Sequence, residues 1–147
     1  STLPFVMPAV RIDGHVYYDG GLGQGAGIPL QLALDSGCSR IFAILTRPKG
    51  FRKPAPDIGR SARMIANSYH KYPYVREALL TRNERYNAEL EKLEQLAAEG
   101  KAYIVYADKM AVENNTTDIK KLRSSYFDGY NQAQKEFPRW LEWLGIE

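Results

Sequence analysis

Two short, unbroken apolar runs constrain the fold of this chain more than anything else in it: Ile41-Phe42-Ala43-Ile44-Leu45 and Tyr103-Ile104-Val105-Tyr106. Neither alternates polar with apolar residues, as a strand with one wet face does. A strand of a largely parallel sheet, covered on both faces, has this composition. Parallel neighbours cannot be joined by a tight turn and need a crossover of a dozen or more residues. The segment between the runs supplies one. Ile58, Ala62, Ile65 and Tyr69 recur at helical spacing, and Pro73 suits the first turn of a further helix. Val75, Leu79, Tyr86, Leu90, Leu93 and Ala97 carry the stripe as far as Gly100. Asn83, Glu84, Arg85, Glu89, Glu91 and Lys92 lie between them in the pattern of a solvated face. The expected class is α/β, with the two runs as neighbouring parallel strands under helices.

The residues before the first run read as a β-hairpin followed by a glycine loop. Ala9 to Ile12 and His15 to Tyr18 should pair through Asp13-Gly14 as a two-residue type I′ turn. Asp19 then leaves the strand and enters Gly20-Gly21-Leu22-Gly23-Gln24-Gly25-Ala26-Gly27. An acidic residue at a strand tip beside bare backbone is well placed for chemistry, although Asp-Gly is also a common turn dipeptide. Pro29 opens a short helix to Ser36 whose Leu30, Ala33 and Leu34 share a face, and Gly37 is its expected cap. Cys38, just beyond, reads as a small buried hydrophobe.

Arg47, Lys49, Arg52 and Lys53 follow the first run among Pro and Gly breakers. Ligands of open α/β sheets collect outside the carboxyl ends of the strands. The four cations are therefore a candidate site for a phosphate or carboxylate, or else a solvated turn. After the second run, Asp108 to Asn115 reads as a loop, and its overlapping sequons, Asn114-Asn115-Thr116 and Asn115-Thr116-Thr117, read as turn residues. Thr117 or Asp118 should cap a last long helix with Ile119, Leu122, Tyr126, Tyr130, Ala133 and Phe137 on one side. Pro138 is expected to interrupt it. Trp140, Leu141, Trp143 and Leu144 form an apolar cluster that either docks on its own domain or touches a membrane.

The 147 residues suit one domain, and a chain of this size buries about 70% of its unfolded surface. With 44% hydrophobic and 25% charged residues, the composition is that of a globular protein, and no apolar run reaches the length of a membrane span. A net charge of +3 is too mild to indicate a nucleic-acid partner. His15 and His70, the only histidines, belong to no spaced ligand cluster, so no metal is expected. The glycines at 21, 23, 25 and 27 miss the dinucleotide spacing, no Walker sequence is present, and no cofactor is expected.

Further order emerges from residues 1 to 33. Ser1-Thr2-Leu3-Pro4, Pro8-Ala9-Val10-Arg11-Ile12-Asp13-Gly14, Tyr18-Asp19-Gly20-Gly21 and Ile28-Pro29-Leu30 with Ala33 resemble the second half of the patatin-like phospholipases. Leu45-Thr46-Arg47, Gly50-Phe51-Arg52-Lys53 and Thr117-Asp118-Ile119-Lys120-Lys121-Leu122 extend the likeness to a bacterial branch of that family. In such proteins a short hairpin ends in Asp-Gly-Gly or Asp-Gly-Ala, and the Asp partners a serine nucleophile held in G-x-S-x-G. The resemblance implies the C-terminal part of a patatin-like fold: a short hairpin, mostly parallel strands, and a helical extension over about 57–147.

It also implies a Ser-Asp dyad in which Asp19 is the base, with Gly20 and Gly21 as supports. The carboxylate would take the proton of a serine that attacks a lipid ester, then activate the water that releases the acyl group. This chain carries no G-x-S-x-G. Gly59-Arg60-Ser61-Ala62-Arg63 lacks the last glycine, and Ser36, Ser39, Ser68, Ser124 and Ser125 lack the elbow context. The expected partners are thus an N-terminal half carrying the nucleophile and a lipid or other acyl-ester substrate. The setting would be cytoplasmic, with peripheral membrane contact, and residues 1–147 alone are expected to be inactive. The other reading is a non-catalytic module that binds a lipid, an anion or a protein.

Overall fold

The computed structural model describes residues 9–55, 64–65, 67–110, 112–113 and 116–146. Ser1 to Pro4, Gly59 to Arg63, Ile58 and the Asn114-Asn115 pair therefore lie outside the described residues. The chain divides into two compact units, Ser1–Ser39 with Arg52–Leu96, and Arg40–Phe51 with Ala97–Glu147.

In the first unit, β1 (Val10–Ile12) and β2 (His15–Tyr17) pair antiparallel, with Ile12 opposite His15. The two residues between them have φ of 49° at Asp13 and 79° at Gly14, the positive pair a type I′ turn demands. A 3₁₀ turn (Gly20–Leu22) follows, then α1 (Leu30–Asp35). That helix ends as expected. Gly37, at φ 80°, donates to Leu34 O at 2.9 Å and Cys38 N to Ala33 O at 3.1 Å, a Schellman closure. Cys38 itself is exposed, because this closure turns the chain outward at that point.

Pro73 begins α2 (Pro73–Leu80), which lies against the 3₁₀ turn, and Thr81 separates it from α3 (Arg82–Ala98). In α3 the buried positions are Tyr86, Glu89, Leu90 and Leu93, one helical stripe. Glu89, at 4% exposure, corrects its assignment to a solvated face.

In the second unit, β3 (Ile41–Leu45) and β4 (Ala102–Tyr106) are parallel neighbours, with Ile41 opposite Ala102 and Leu45 opposite Tyr106. The class is α/β, with one parallel pair and one hairpin among the described residues. Val105 is 5% exposed, but Ile44 beside it is 65% exposed, so β3 is not covered on both faces. The reason is the narrow sheet, which has only two strands among the described residues.

Asp118 caps α4 (Ile119–Leu144), its Oδ1 accepting from Lys120 N at 2.8 Å and Lys121 N at 3.3 Å. The helix runs through Pro138 without interruption. Proline removes a single N–H from a ladder of many, and packing further along holds the two sides together. The indoles of Trp140 and Trp143 sit 5.8 and 6.0 Å from the Phe42 ring, which stacks on Tyr103 at 5.5 Å. Arg40 lies 4.1 Å over Trp143. The terminal aromatic cluster docks on its own sheet.

Candidate active site

Asp19 stands two residues past β2 and caps the 3₁₀ turn. Its Oδ1 accepts from Gly21 N at 2.6 Å, and Leu22 N returns to Asp19 O at 3.0 Å. A short side chain that binds its own backbone two residues on cannot swing freely, so the local sequence sets the direction of the carboxylate. The residue is half-buried and lines a groove of about 510 Å³ together with Gly20, Gly21, Gln24 and Leu32.

At Gly21 and Gly25 contact, not a positive φ, bears on the choice of glycine. A Cβ on Gly21 would stand 2.7 Å from Arg82 Nη2 and 2.8 Å from Asp19 Oδ1, which also puts the Arg82 guanidinium beside the carboxylate. A Cβ on Gly25 would fall 1.7 Å from Ile28 O. At Gly20 nothing among the described residues approaches within 4 Å, so they give its place in the motif no steric cause.

The loop is a run of tight turns. Gly23 N reaches Gly20 O, Ala26 N reaches Gly23 O, and Ile28 N reaches Gly25 O, at 3.0, 3.1 and 3.0 Å. Ala26 adopts φ 50° while 1% exposed, a left-handed backbone that only surrounding contacts can impose. The rest of the loop is held from α3. Arg85 donates to the carbonyls of Leu22, Gly23 and Gln24, and to Ala78 O at 2.7 Å and Thr81 Oγ1 at 3.1 Å. Glu89 Oε1 accepts from Gln31 N at 3.2 Å, just past the loop, and its Oε2 from Lys92 at 3.3 Å. Sequence reasoning missed Arg82, Arg85 and Glu89. Their spacing of three and four was the available signal, since it places all three on one helix face.

No serine joins this site among the described residues. Ser36 Oγ is turned back to Leu32 O at 2.8 Å, Ser124 and Ser125 are inside α4, Ser39 and Ser68 are exposed, and Ser61 lies outside the described residues. His15 is an exposed strand residue, and His70 Nδ1 stands 2.9 Å from Asn67 O. Among the described residues no group of His, Cys, Asp or Glu is arranged to hold a metal ion, and no helix is long and apolar enough to cross a membrane.

The candidate anion residues are mostly engaged. Arg47 stacks 4.8 Å over the Phe51 ring in the second unit, where Lys49 is exposed. In the first, Arg52 forks onto Glu94 at 2.5 and 3.4 Å. Lys53 lies 3.8 Å over Tyr86 while its backbone N–H and carbonyl pair with the Asn87 amide, both at 2.9 Å. The crevice at the carboxyl ends of β3 and β4, about 800 Å³, is lined instead by Lys109 and Lys135 together with Asp108 and Asp128.

With this geometry in view, the family assignment rests on the other end of the chain. Residues 72–145 match a domain of unknown function, DUF6363. The chain belongs to that family. The DUF6363 segment takes in α2, α3, β4 and α4, so it contains Arg82, Arg85 and Glu89 but not Asp19. No curated protein and no solved structure matches the chain.

Proposed function

We propose that this chain is the Asp-bearing part of a patatin-like serine lipid acyl hydrolase, in which Asp19 is the base of a Ser-Asp dyad. The observation that carries the reading is a half-buried carboxylate, aimed by Gly21 N at 2.6 Å and set on the wall of a groove, directly after a hairpin. A general base needs that combination of fixed direction and access to a reacting hydroxyl. Gly20 and Gly21 are supports, Gly21 by leaving room for Arg82 beside the carboxylate, and Arg85 and Glu89 hold the loop from behind. The nucleophile comes from a G-x-S-x-G segment upstream of residue 1. Asp19 accepts the serine proton as the hydroxyl attacks the ester carbonyl, and later accepts a proton from the water that cleaves the acyl-enzyme. The substrate is a lipid or other acyl ester, and the enzyme works in the cytoplasm at the edge of a membrane.

The test is hydrolysis of a chromogenic short-chain ester by the complete gene product, with and without Asp19→Asn. The amide keeps the bond from Gly21 N but cannot take a proton. Turnover is expected to fall about a hundredfold or more with an unchanged circular dichroism spectrum. Near-normal kcat in Asp19→Asn removes Asp19 from the mechanism. Absence of any ester turnover in the complete product favours a non-catalytic binding module, a reading supported by the confinement of the DUF6363 match to residues outside the Asp19 loop.

A further inference from the structure

The long helix α4 carries an apolar stripe that nothing among the described residues covers. Ile119, Leu122, Tyr126, Phe127, Tyr130 and Phe137 are between 43% and 67% exposed. The helix outruns its sheet, and this explains the exposure. Gln132 reaches Tyr106 O, at the last residue of β4, with 2.7 Å and Asp108 N with 3.0 Å. Everything N-terminal to that point projects past the strand ends: about 13 residues, or roughly 20 Å of helix. Trp140 lies in line with Leu122, about five turns on, so the edge of the stripe runs into the cluster on Phe42, and the Phe137 ring meets the Trp140 ring at 6.3 Å.

We infer that this stripe is the interface of a homodimer in which two copies of α4 pack antiparallel. Area is the first argument. A buried aromatic side chain covers about 150–250 Å², so six side chains open to this degree offer on the order of 600–800 Å² per copy. A lone monomer patch is commonly about 300–600 Å², and a standard interface takes about 800 Å² from each partner.

Shape is the second. The stripe carries two shallow grooves, one between Ile119, Leu122, Arg123, Tyr126 and Phe127 and the other between Tyr130, Ala133, Gln134, Phe137 and Pro138. They lie on either side of position 128, so a two-fold axis there seats each end of one stripe in the far groove of its mate. Ile119 then faces Phe137, Leu122 faces Gln134, and Tyr126 faces Tyr130, whose rings already stack within one copy at 6.4 Å.

Charge agrees with this direction. Lys120, Lys121 and Arg123 crowd the first turns, and a parallel pair would set them against their own copies. The antiparallel register sets Lys120 opposite Glu136 of the mate, although Lys121 then meets Lys135.

The test begins with sedimentation velocity of the full chain over a concentration series. A monomer–dimer equilibrium is expected, and Tyr126→Glu should weaken it about thirtyfold, because a carboxylate would be buried at the centre. Register is read by disulfide trapping in a Cys38→Ser background. Ile119→Cys with Phe137→Cys should cross-link, and Ile119→Cys alone should not. A monomer at every concentration overturns the inference, as does association unaffected by Tyr126→Glu. Cross-linking by Ile119→Cys alone overturns the antiparallel arrangement. Monomer that co-sediments with anionic phospholipid vesicles, and loses this with Tyr126→Glu, overturns it in favour of a membrane face. If the glutamate variant loses its circular dichroism signal, the cysteine pairs decide alone: no cross-link in the double variant overturns the dimer.

Discussion

Gly25→Ala is the sharpest test of the loop that holds Asp19. The added Cβ would fall 1.7 Å from Ile28 O and 2.8 Å from Ile28 C, both backbone atoms that cannot rotate away. Ordinary contact needs about 3.4 Å, so the turn must open by more than an ångström. Opening it breaks the bond from Ile28 N to Gly25 O, worth about 1 kcal/mol. The strain also spreads to Ala26 and Ile28, 1% and 7% exposed, where overpacking costs about 1–3 kcal/mol. The total of about 2–4 kcal/mol should lower Tm by roughly 6–14 °C for a chain of this length. Gly20→Ala is the internal control, since nothing among the described residues stands within 4 Å of its Cβ. It should be neutral, or stabilising by a few tenths of a kcal/mol, because alanine narrows the unfolded ensemble. Thermal unfolding of both variants, followed by circular dichroism, decides the matter. Equal Tm values would refute the tight turn at Gly25, and with it the claim that sterics set the course of the glycine loop.

Three further outcomes are expected. Arg85→Ala should destabilise the protein by about 2 kcal/mol in urea unfolding, and Arg85→Lys should recover less than half, because one ammonium cannot reach the loop carbonyls, Ala78 O and Thr81 Oγ1 together. Full rescue by lysine would show that only charge matters there. Asp118→Ala should cost about 1 kcal/mol through loss of the α4 cap, with Asp118→Asn near wild type. Trp143→Ala should cost about 3 kcal/mol by emptying the aromatic cluster on Phe42 and Tyr103, and a loss under 1 kcal/mol would mean that α4 is held elsewhere.

What the sequence made legible was whatever depends on local backbone demands or on period. Asp13-Gly14 could be placed because a two-residue hairpin turn needs positive φ twice. Gly37 and Asp118 could be placed because helix ends leave backbone groups that need partners. The parallel pairing of β3 and β4 followed from unbroken apolar runs separated by helical periodicity. Reasoning failed where partners lie far along the chain. A buried Glu89 and a half-buried Arg85 have the local signature of a wet helix face, and only the carbonyls of residues 22 to 24 and the amide of Gln31 give them another role. Exposure failed for the same reason: Ile44 and Cys38 are apolar by composition, but their environment is set by how many strands and turns surround them. At the candidate site the carboxylate was legible and its scaffold was not.

The parallel pairing has a further consequence for how the chain is made. Ile41 meets Ala102 only after roughly sixty more residues have left the ribosome, an interval of about 3–12 s at ordinary rates of synthesis. Through that interval Ile41-Phe42-Ala43-Ile44-Leu45, a β-prone run with neither charge nor proline, has no strand to pair with among the described residues. Its earliest neighbours in sequence offer no shelter, since both compact units are closed by segments from beyond residue 51. Nascent chains stalled between β3 and β4 should therefore recruit holding chaperones at this run and lose them once residue 106 has emerged.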